Sequence, residues 1–193
     1  MPTITPFITE TELQTICQTL GRQITTDYQG KTPLIIGILK GCQPFFSDLV
    51  RQITLPVEIS YLKVRSYTGI TFSGAIHLEL DADIAITHRD VIIVEDIIDT
   101  GTTMTNLYAF LRSKQPNSLK VVALLDKPSR RTTDFHADCI GKSIPNVFVT
   151  GYGLDYTVRG IHWYAGTVQR RDASRLYGGR HLFSSRNFSP RTV

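Results

Sequence analysis

The sequence has few cysteines, no apolar run of membrane length and no basic, apolar leader at its start. Its three cysteines, Cys17, Cys42 and Cys139, lie far apart in a chain of 193 residues, so the sequence predicts neither a disulfide framework nor a zinc site. No segment approaches the roughly 18 consecutive apolar residues of a membrane span, and residues 1–7 do not resemble a secretory leader. We therefore expect a cytoplasmic protein with no membrane partner.

Two common nucleotide-binding signatures are also absent from the sequence. It contains neither the G-x-x-x-x-G-K-[ST] pattern of ATP-type phosphate loops nor the G-x-G-x-x-G pattern of dinucleotide-binding domains. A phosphate site in this chain would therefore be built in another way.

Excess positive charge is confined to the end of the chain. The formal net charge is +4, and residues 170–193 carry six arginines against one acid, Asp172, which leaves the rest of the chain close to neutral. Residues 172–193 also contain Gly178, Gly179 and Pro190, as flexible segments often do. The length suits one domain. We expect that domain over residues 1–171 and a flexible basic tail over residues 172–193, with no nucleic-acid partner.

Short apolar segments alternate with helical patterns along the chain. Thr9 and Glu12 predict a capping box, and the amphipathic helix that follows is expected to end near Gly21. Apolar runs predict strands at residues 34–39, 91–94, 121–125 and 147–149, and alternating apolar and polar residues predict strands at 57–64 and 75–80. Helical stripes lie at residues 45–53 and 104–111. This alternation predicts an α/β domain with a largely parallel central sheet.

The segment from Val94 to Thr103 follows a predicted strand and leads into a predicted helix, which is where open parallel sheets bind ligands. Its last four residues, Thr100, Gly101, Thr102 and Thr103, offer hydroxyls and N–H groups at a helix start, which suits a phosphate. The same residue types also serve as ordinary helix caps. The pattern alone leaves both interpretations open.

Three carboxylates, those of Glu95, Asp96 and Asp99, lie beside this segment. Their mutual repulsion is unfavourable unless a cation or a polyhydroxylated group binds there, and magnesium or ribose hydroxyls would both serve. The alternative is a solvated acidic turn in which Asp99 caps the helix. Acids that directly follow a fully apolar strand favour the binding role.

These residues resemble a known signature. Val94–Thr103 is similar to the phosphoribosyl pyrophosphate motif of type I phosphoribosyltransferases, in the form typical of the hypoxanthine-guanine (6-oxopurine) branch. Further segments resemble, in the same order, that branch's pyrophosphate loop, lid, purine-contacting lysine segment and base-stacking segment: 38–41, 65–67, 124–128 and 147–156. The resemblance covers about residues 9–166. It implies a type I phosphoribosyltransferase-like core with a parallel sheet flanked by helices, a small hood and a mobile lid loop.

The resemblance also implies which residues bind the phosphoribosyl donor. Thr100, Gly101, Thr102 and Thr103 would hold its 5-phosphate, and Glu95 and Asp96 would engage the ribose hydroxyls and Mg²⁺. Leu39, Lys40, Gly41 and Arg159 would bind pyrophosphate, and Asp155 would coordinate a second magnesium. The family often holds the peptide equivalent to Leu39–Lys40 in the cis form. The spacing from Asp155 to Arg159 is shorter than is usual in the family.

A second set of residues would act on the purine. By the same resemblance Asp99 is the general base, Lys127, Phe148 and Val149 contact the base, and Ser66 and Tyr67 belong to the lid. Without the resemblance, Phe148 would be interpreted as a core residue.

The implied reaction is purine salvage. Phosphoribosyl pyrophosphate and hypoxanthine or guanine would give IMP or GMP and pyrophosphate, in a homodimer or homotetramer. Two alternatives are a regulatory relative that grips RNA and a transferase for another base, such as xanthine or a pyrimidine. The presence of Asp99, Lys127, Phe148 and Asp155 favours the enzyme over the regulator.

Overall fold

The computed structural model describes residues 6–64, 85–154 and 167–171. In chain order the elements are β1 (Pro6–Ile8), α1 (Glu10–Asp27), β2 (Leu34–Leu39), α2 (Gln43–Val50), β3 (Glu58–Lys63), β4 (Asp90–Ile98), α3 (Thr102–Ser113), β5 (Ser118–Asp126), a 3-10 turn (Pro128–Arg130), β6 (Cys139–Ser143), β7 (Phe148–Thr150) and β8 (Val168–Arg171). No helix in these described ranges is long and apolar enough to cross a membrane.

Five strands form the central sheet in the order β3-β2-β4-β5-β6, and every neighbouring pair is parallel. This confirms the prediction of an α/β fold with a parallel sheet. Strand β2 occupies the predicted residues, because a continuous apolar run suits a strand that is covered on both faces. Strand β6 was not predicted, since a run such as Cys139–Ser143 with alternating polar residues carries little apolar signal.

Apolar side chains alternate between the two faces of the sheet. Ile35, Ile92 and Val122 pack in a core that includes residues of α1 and α2. Ile36, Ile93 and Val121 pack in a second core that includes α3. The sheet is therefore the middle of three layers, with α1 and α2 on one face and α3 on the other.

Helix α1 begins where the sequence predicts. The Thr9 side chain accepts a hydrogen bond from Glu12 N at 3.2 Å, and Thr9 N donates to Glu12 Oε2 at 2.9 Å, which completes the capping box. The predicted end near Gly21 is wrong, because the helix continues to Asp27. A Cβ on Gly21 would lie 2.5 Å from the Cβ of Gln52, so this glycine permits close packing rather than ending the helix.

A second, antiparallel sheet has the order β1-β8-β7. The predicted strand at residues 147–149 lies here, as β7, and not in the central sheet where we expected it. Val149, Val168 and Ile8 pack in the same core as α1 and α2, which attaches the small sheet to that face of the domain. We assign this sheet to the expected hood.

The strand order creates a switch point between β2 and β4. From β2 the chain passes through α2 to β3 on one side, and from β4 it passes through α3 to β5 on the other. The loops after β2 and β4 therefore diverge and leave a crevice at the carboxyl ends of these strands, which is where open α/β sheets bind ligands.

Several predictions fall outside the described residues. These are the strand at 75–80, the lid residues Ser66 and Tyr67, the site residues Asp155 and Arg159, and the tail at 172–193.

Candidate active site

Strand β4 carries two of the predicted acids. The strand continues to Ile98, so Glu95 and Asp96 are strand residues rather than members of the loop that we expected. Glu95 Oε2 is buried and has no hydrogen-bond partner among the described residues. Burial, and after it the charge of Asp96, raise the pKa of Glu95 well above its usual range. A hydroxyl group or a cation bound here would give this oxygen the partner that it lacks among the described residues.

The predicted pyrophosphate loop lies against the second acid. The Leu39–Lys40 peptide is cis, and the Lys40 side chain is exposed. A Cβ on Gly41 would overlap the carboxylate of Asp96, so the glycine backbone packs directly on that group. The next residue, Cys42, is buried, and its thiol pKa is raised first by burial and then by the charges of Glu95 and Asp96. The loop after β2 and the acids of β4 thus form one cluster at the switch point.

The predicted phosphate cradle begins helix α3. Gly101 is its N-cap with a φ of 84° and has no side chain to cap the first turn, while Thr102 N donates to Thr100 Oγ1 at 3.4 Å. The first turn, Thr102–Met104, holds no acid that would offset the positive end of the helix dipole. The backbone N–H groups at the start of α3 therefore suit an anion.

Asp99 is not the helix cap that the alternative interpretation required, because Gly101 occupies that position. Its carboxylate instead accepts a hydrogen bond from Arg130 Nε at 2.9 Å. Both side chains are about half exposed, so this carboxylate is accessible to solvent rather than packed in the core.

The segment after β5 packs against the loop that contains the predicted phosphate cradle, Thr100–Thr103. The side chain of Arg131 is 11% exposed, donates to the carboxylate of Asp126 and donates to the Asp99 carbonyl oxygen at 2.9 Å. Thr132 N donates to the Thr100 carbonyl oxygen at 2.9 Å. A Cβ on Gly101 would lie 2.5 Å from Thr133 Oγ1, so this glycine allows the two loops to touch.

Sequence reasoning missed Arg130, Arg131, Thr132 and Thr133. The available signal was their position: they directly follow the predicted lysine segment, at the end of the strand beside β4. Two adjacent arginines at the carboxyl end of a central strand, next to an acidic loop, could have been assigned as its partners.

Lys127 is buried at the end of β5. Its N–H donates to the Ile98 carbonyl oxygen at 3.0 Å, which fixes it beside the loop that carries Asp99. Burial lowers the pKa of Lys127, while the nearby charge of Asp99 raises it and that of Arg130 lowers it.

The base-stacking segment approaches the same crevice. Phe148 is half-buried and Val149 is buried in β7. The turn that follows packs against the pyrophosphate loop, since a Cβ on Gly153 would overlap the Gly41 carbonyl oxygen and lie 2.7 Å from Pro44 Cδ. The two loops are in direct backbone contact.

A magnesium ion fits this site as a partner shared with a substrate. Within the described ranges, no group of three or more acidic, cysteine or histidine side chains is placed to hold a metal. Mg²⁺ commonly takes one or two carboxylates and completes its octahedron with waters and substrate phosphates. Glu95 and Asp96, with the buried Glu95 oxygen available, match that donor set.

The switch point of this parallel sheet holds an acid pair, a glycine-containing loop and a helix start rich in hydroxyl groups. This combination of fold and site is that of the phosphoribosyltransferase class. The phosphoribosyl transferase domain family matches residues 9–157. The hypoxanthine-guanine phosphoribosyltransferase of Staphylococcus aureus (strain Mu50) is 47% identical over 151 residues, which are 78% of this chain and 84% of that protein. The chain therefore belongs to the hypoxanthine-guanine branch of the phosphoribosyltransferase family.

Solved structures agree with this assignment. The crystal structure of a hypoxanthine phosphoribosyltransferase from S. aureus matches with a TM-score of 0.82 and 41% identity, over 91% of this chain and 94% of that chain. A hypoxanthine-guanine phosphoribosyltransferase from Bacillus anthracis, with a HEPES molecule in its active site, matches with a TM-score of 0.76 and 34% identity, over 86% and 95%. The expected type I fold is confirmed.

Proposed function

We propose that this chain transfers the 5-phosphoribosyl group of phosphoribosyl pyrophosphate to hypoxanthine or guanine, which yields IMP or GMP and pyrophosphate. Family membership supports this reaction. The observation that carries it is the contact of the Gly41 backbone with the Asp96 carboxylate, since it brings the pyrophosphate loop and the ribose acids to one point.

The donor would bind across the switch point. Its 5-phosphate accepts hydrogen bonds from Thr100 to Thr103 at the start of α3, where the helix dipole favours an anion. Its ribose hydroxyls meet Glu95 and Asp96, and its pyrophosphate meets the backbone of Leu39, Lys40 and Gly41. Arg159 and Asp155 remain proposed pyrophosphate and metal ligands beyond the described ranges.

The transfer breaks the bond from the anomeric carbon to pyrophosphate and forms a bond from that carbon to a purine nitrogen. The purine imidazole then loses a proton, and Asp99 accepts it. The half-exposed Asp99 carboxylate contributes by its position and by stabilising positive charge on the purine.

Magnesium would be held by Glu95 and Asp96 together with substrate oxygens. When bound, it supplies positive charge against the leaving pyrophosphate. The chain's own part is to hold the two carboxylates in fixed positions on β4 and to keep Glu95 away from water.

Purine recognition would rest on Lys127, Phe148 and Val149. The Lys127 ammonium donates to the 6-oxygen, the Phe148 ring stacks on the base, and the Val149 backbone meets its edge. Ser66 and Tyr67 would close over the site as a lid and exclude water. A homodimer or homotetramer is the expected assembly.

A pyrophosphate-release assay with each free base tests this function. Purified protein is mixed with phosphoribosyl pyrophosphate, magnesium and hypoxanthine, guanine, xanthine, adenine or uracil in turn. Rapid release with hypoxanthine and guanine is the expected result. If pyrophosphate is released only with xanthine or only with uracil, that base is the acceptor instead of hypoxanthine or guanine. If no base gives pyrophosphate release, the transferase function is wrong.

A further inference from the structure

A partly buried hydrogen bond joins the turn after β7 to helix α2. The Tyr152 hydroxyl donates to Asp48 Oδ2 at 2.7 Å, although 104 residues separate the two in sequence. Cys17 Sγ of helix α1 lies 3.8 Å from the same hydroxyl. Tyr152 is 6% exposed. Burial, and then its bond to Asp48, raise the pKa of Tyr152, so its hydroxyl stays protonated and remains a donor.

The backbone of this turn is unusual. Gly151, Tyr152 and Gly153 have φ values of 94°, 51° and 90°. Glycine adopts such angles readily, but tyrosine rarely does. The turn is closed by a hydrogen bond from Leu154 N to the Gly151 carbonyl oxygen at 3.0 Å. Tyrosine at this position therefore carries a backbone strain that glycine would not have.

The same turn touches the pyrophosphate loop through Gly153, whose backbone packs on the Gly41 carbonyl oxygen and on Pro44. Pro44 belongs to the first turn of α2, and Asp48 lies one turn further along that helix. The turn therefore meets α2 twice, once through a backbone contact at the helix start and once through Tyr152 and Asp48.

These contacts lie between two parts of the site. Phe148 and Val149 precede the turn directly, and the loop of Leu39–Gly41 precedes α2 directly. A shift of the turn relative to α2 would break the bond from Tyr152 to Asp48, and a shift of either loop would disturb the contact between Gly153 and Gly41. The proposed function, on which this inference rests, assigns the purine to one loop and pyrophosphate to the other.

We propose that Tyr152 is a positioning residue that couples the purine site to the pyrophosphate site through its hydrogen bond to Asp48. Occupation of either site then favours the loop arrangement that suits the other. Coupling of this kind is reciprocal: each ligand tightens the other by the same factor.

The test measures that factor by titration calorimetry. Hypoxanthine is titrated into the full-length protein with and without magnesium pyrophosphate, and magnesium pyrophosphate is titrated with and without hypoxanthine. We expect mutual tightening in the wild type. Tyr152→Phe should reduce the factor by about ten-fold in both directions, because it removes a hydrogen bond to a charged group. Its KM for hypoxanthine should rise by a similar factor, with kcat changed less.

Three comparisons separate coupling from loss of stability. Tyr108→Phe is the matched control, because the Tyr108 hydroxyl donates to the Leu119 carbonyl oxygen on the α3 side of the sheet. Its melting temperature can fall, but its coupling factor should not. Asp48→Asn keeps an acceptor oxygen and should retain most of the coupling. The double variant, Tyr152→Phe with Asp48→Ala, should lose no more of the coupling factor than the more affected of the two single variants, because both changes remove the same bond.

The experiments distinguish failure of this inference from failure of the proposed function. If the wild type releases pyrophosphate with hypoxanthine but Tyr152→Phe keeps the full coupling factor, the inference alone is wrong. Equal loss of coupling in Tyr108→Phe would also refute it. If the wild type turns over no base, the proposed function fails and the inference fails with it.

Discussion

Arg130 Nε donates a hydrogen bond to Asp99 Oδ1 at 2.9 Å, and the two side chains are 45% and 40% exposed. An ion pair in water at this exposure stabilises a protein by about 0–1 kcal/mol. The guanidinium therefore orients the carboxylate without immobilising it. A purine that enters the crevice can compete for the same carboxylate, which is consistent with its proposed role as the proton acceptor.

Replacement of Asp99 by asparagine should lower kcat by about ten- to ten-thousand-fold, because the amide cannot accept the purine proton. Binding of phosphoribosyl pyrophosphate should change little, since the phosphate cradle begins after this residue. Single-turnover kinetics and donor titration would measure the two effects. An unchanged rate would limit Asp99 to a structural role.

Arg130→Ala is the control for this variant. It removes the ion pair but keeps the carboxylate, so its kcat should stay within about ten-fold of the wild type if the proton acceptor matters more than the pair. A loss as large as that of Asp99→Asn would show that the guanidinium is the more important partner.

Arg131→Ala should destabilise the protein by about 3–5 kcal/mol, because it leaves the carboxylate of Asp126 buried without its partner. The Asp99 carbonyl oxygen also loses a hydrogen bond. Urea unfolding would measure the change, with Arg130→Ala as the exposed counterpart expected within about 1 kcal/mol of the wild type. Similar unfolding midpoints for the two variants would contradict this difference.

The three middle strands of the central sheet, β2, β4 and β5, could be predicted because they are largely apolar on both faces. Residues 34–39 and 91–94 are short, continuous apolar runs, and such runs are typical of strands that are covered on both faces. Strands β1, β6 and β8 were not predicted, since three to five residues with polar members give no clear periodicity, and β7 was predicted as a strand but expected in the central sheet. Their pairing depends on contacts between distant parts of the chain.

The site was predictable in its list of residues but not in its arrangement. The motifs named Gly41 and Asp96 separately, and the parallel neighbours β2 and β4 bring them together. Arg131 was not predicted because its partners, Asp126 and the Asp99 carbonyl oxygen, are defined by packing between two loops. Tyr152 and Asp48 were missed for the same reason, since 104 residues separate them.

Removal of residues 172–193 should leave turnover and melting temperature nearly unchanged, if this segment is the flexible basic tail that its composition predicts. A chain that ends at Arg171 is compared with the full chain by the pyrophosphate-release assay and by thermal unfolding. A marked fall in either quantity would show that the segment packs on the domain or completes its assembly.

Turnover should require magnesium. Pyrophosphate leaves as a polyanion, and a cation held by Glu95, Asp96 and substrate oxygens would offset its charge. Release is measured in a chelator and again after magnesium is restored. We expect loss and full recovery, whereas full turnover in the chelator would contradict the proposed roles of Glu95 and Asp96.

Base selection should depend on Lys127, which lies buried at the end of β5 beside the loop of Asp99. An ammonium group donates hydrogen bonds and accepts none, so it pairs with the 6-oxygen of hypoxanthine or guanine and opposes the 6-amino group of adenine. Each unpaired buried polar group costs about 1–3 kcal/mol. Sites built on such a bond can reject a mismatched substrate by about ten-thousand-fold.

Lys127→Ala should therefore reduce kcat/KM for hypoxanthine and guanine and narrow their advantage over adenine, because the attracting and the repelling donor are lost together. The pH gives a second readout. Burial lowers the pKa of Lys127, so its ammonium loses a proton at a lower pH than an exposed lysine, and the wild-type preference should narrow as the pH rises into the alkaline range. Competition between hypoxanthine and adenine, measured across pH in both proteins, tests this. Lys127 is not the selecting group if the alanine variant keeps the wild-type preference, or if the wild type uses adenine as readily as hypoxanthine.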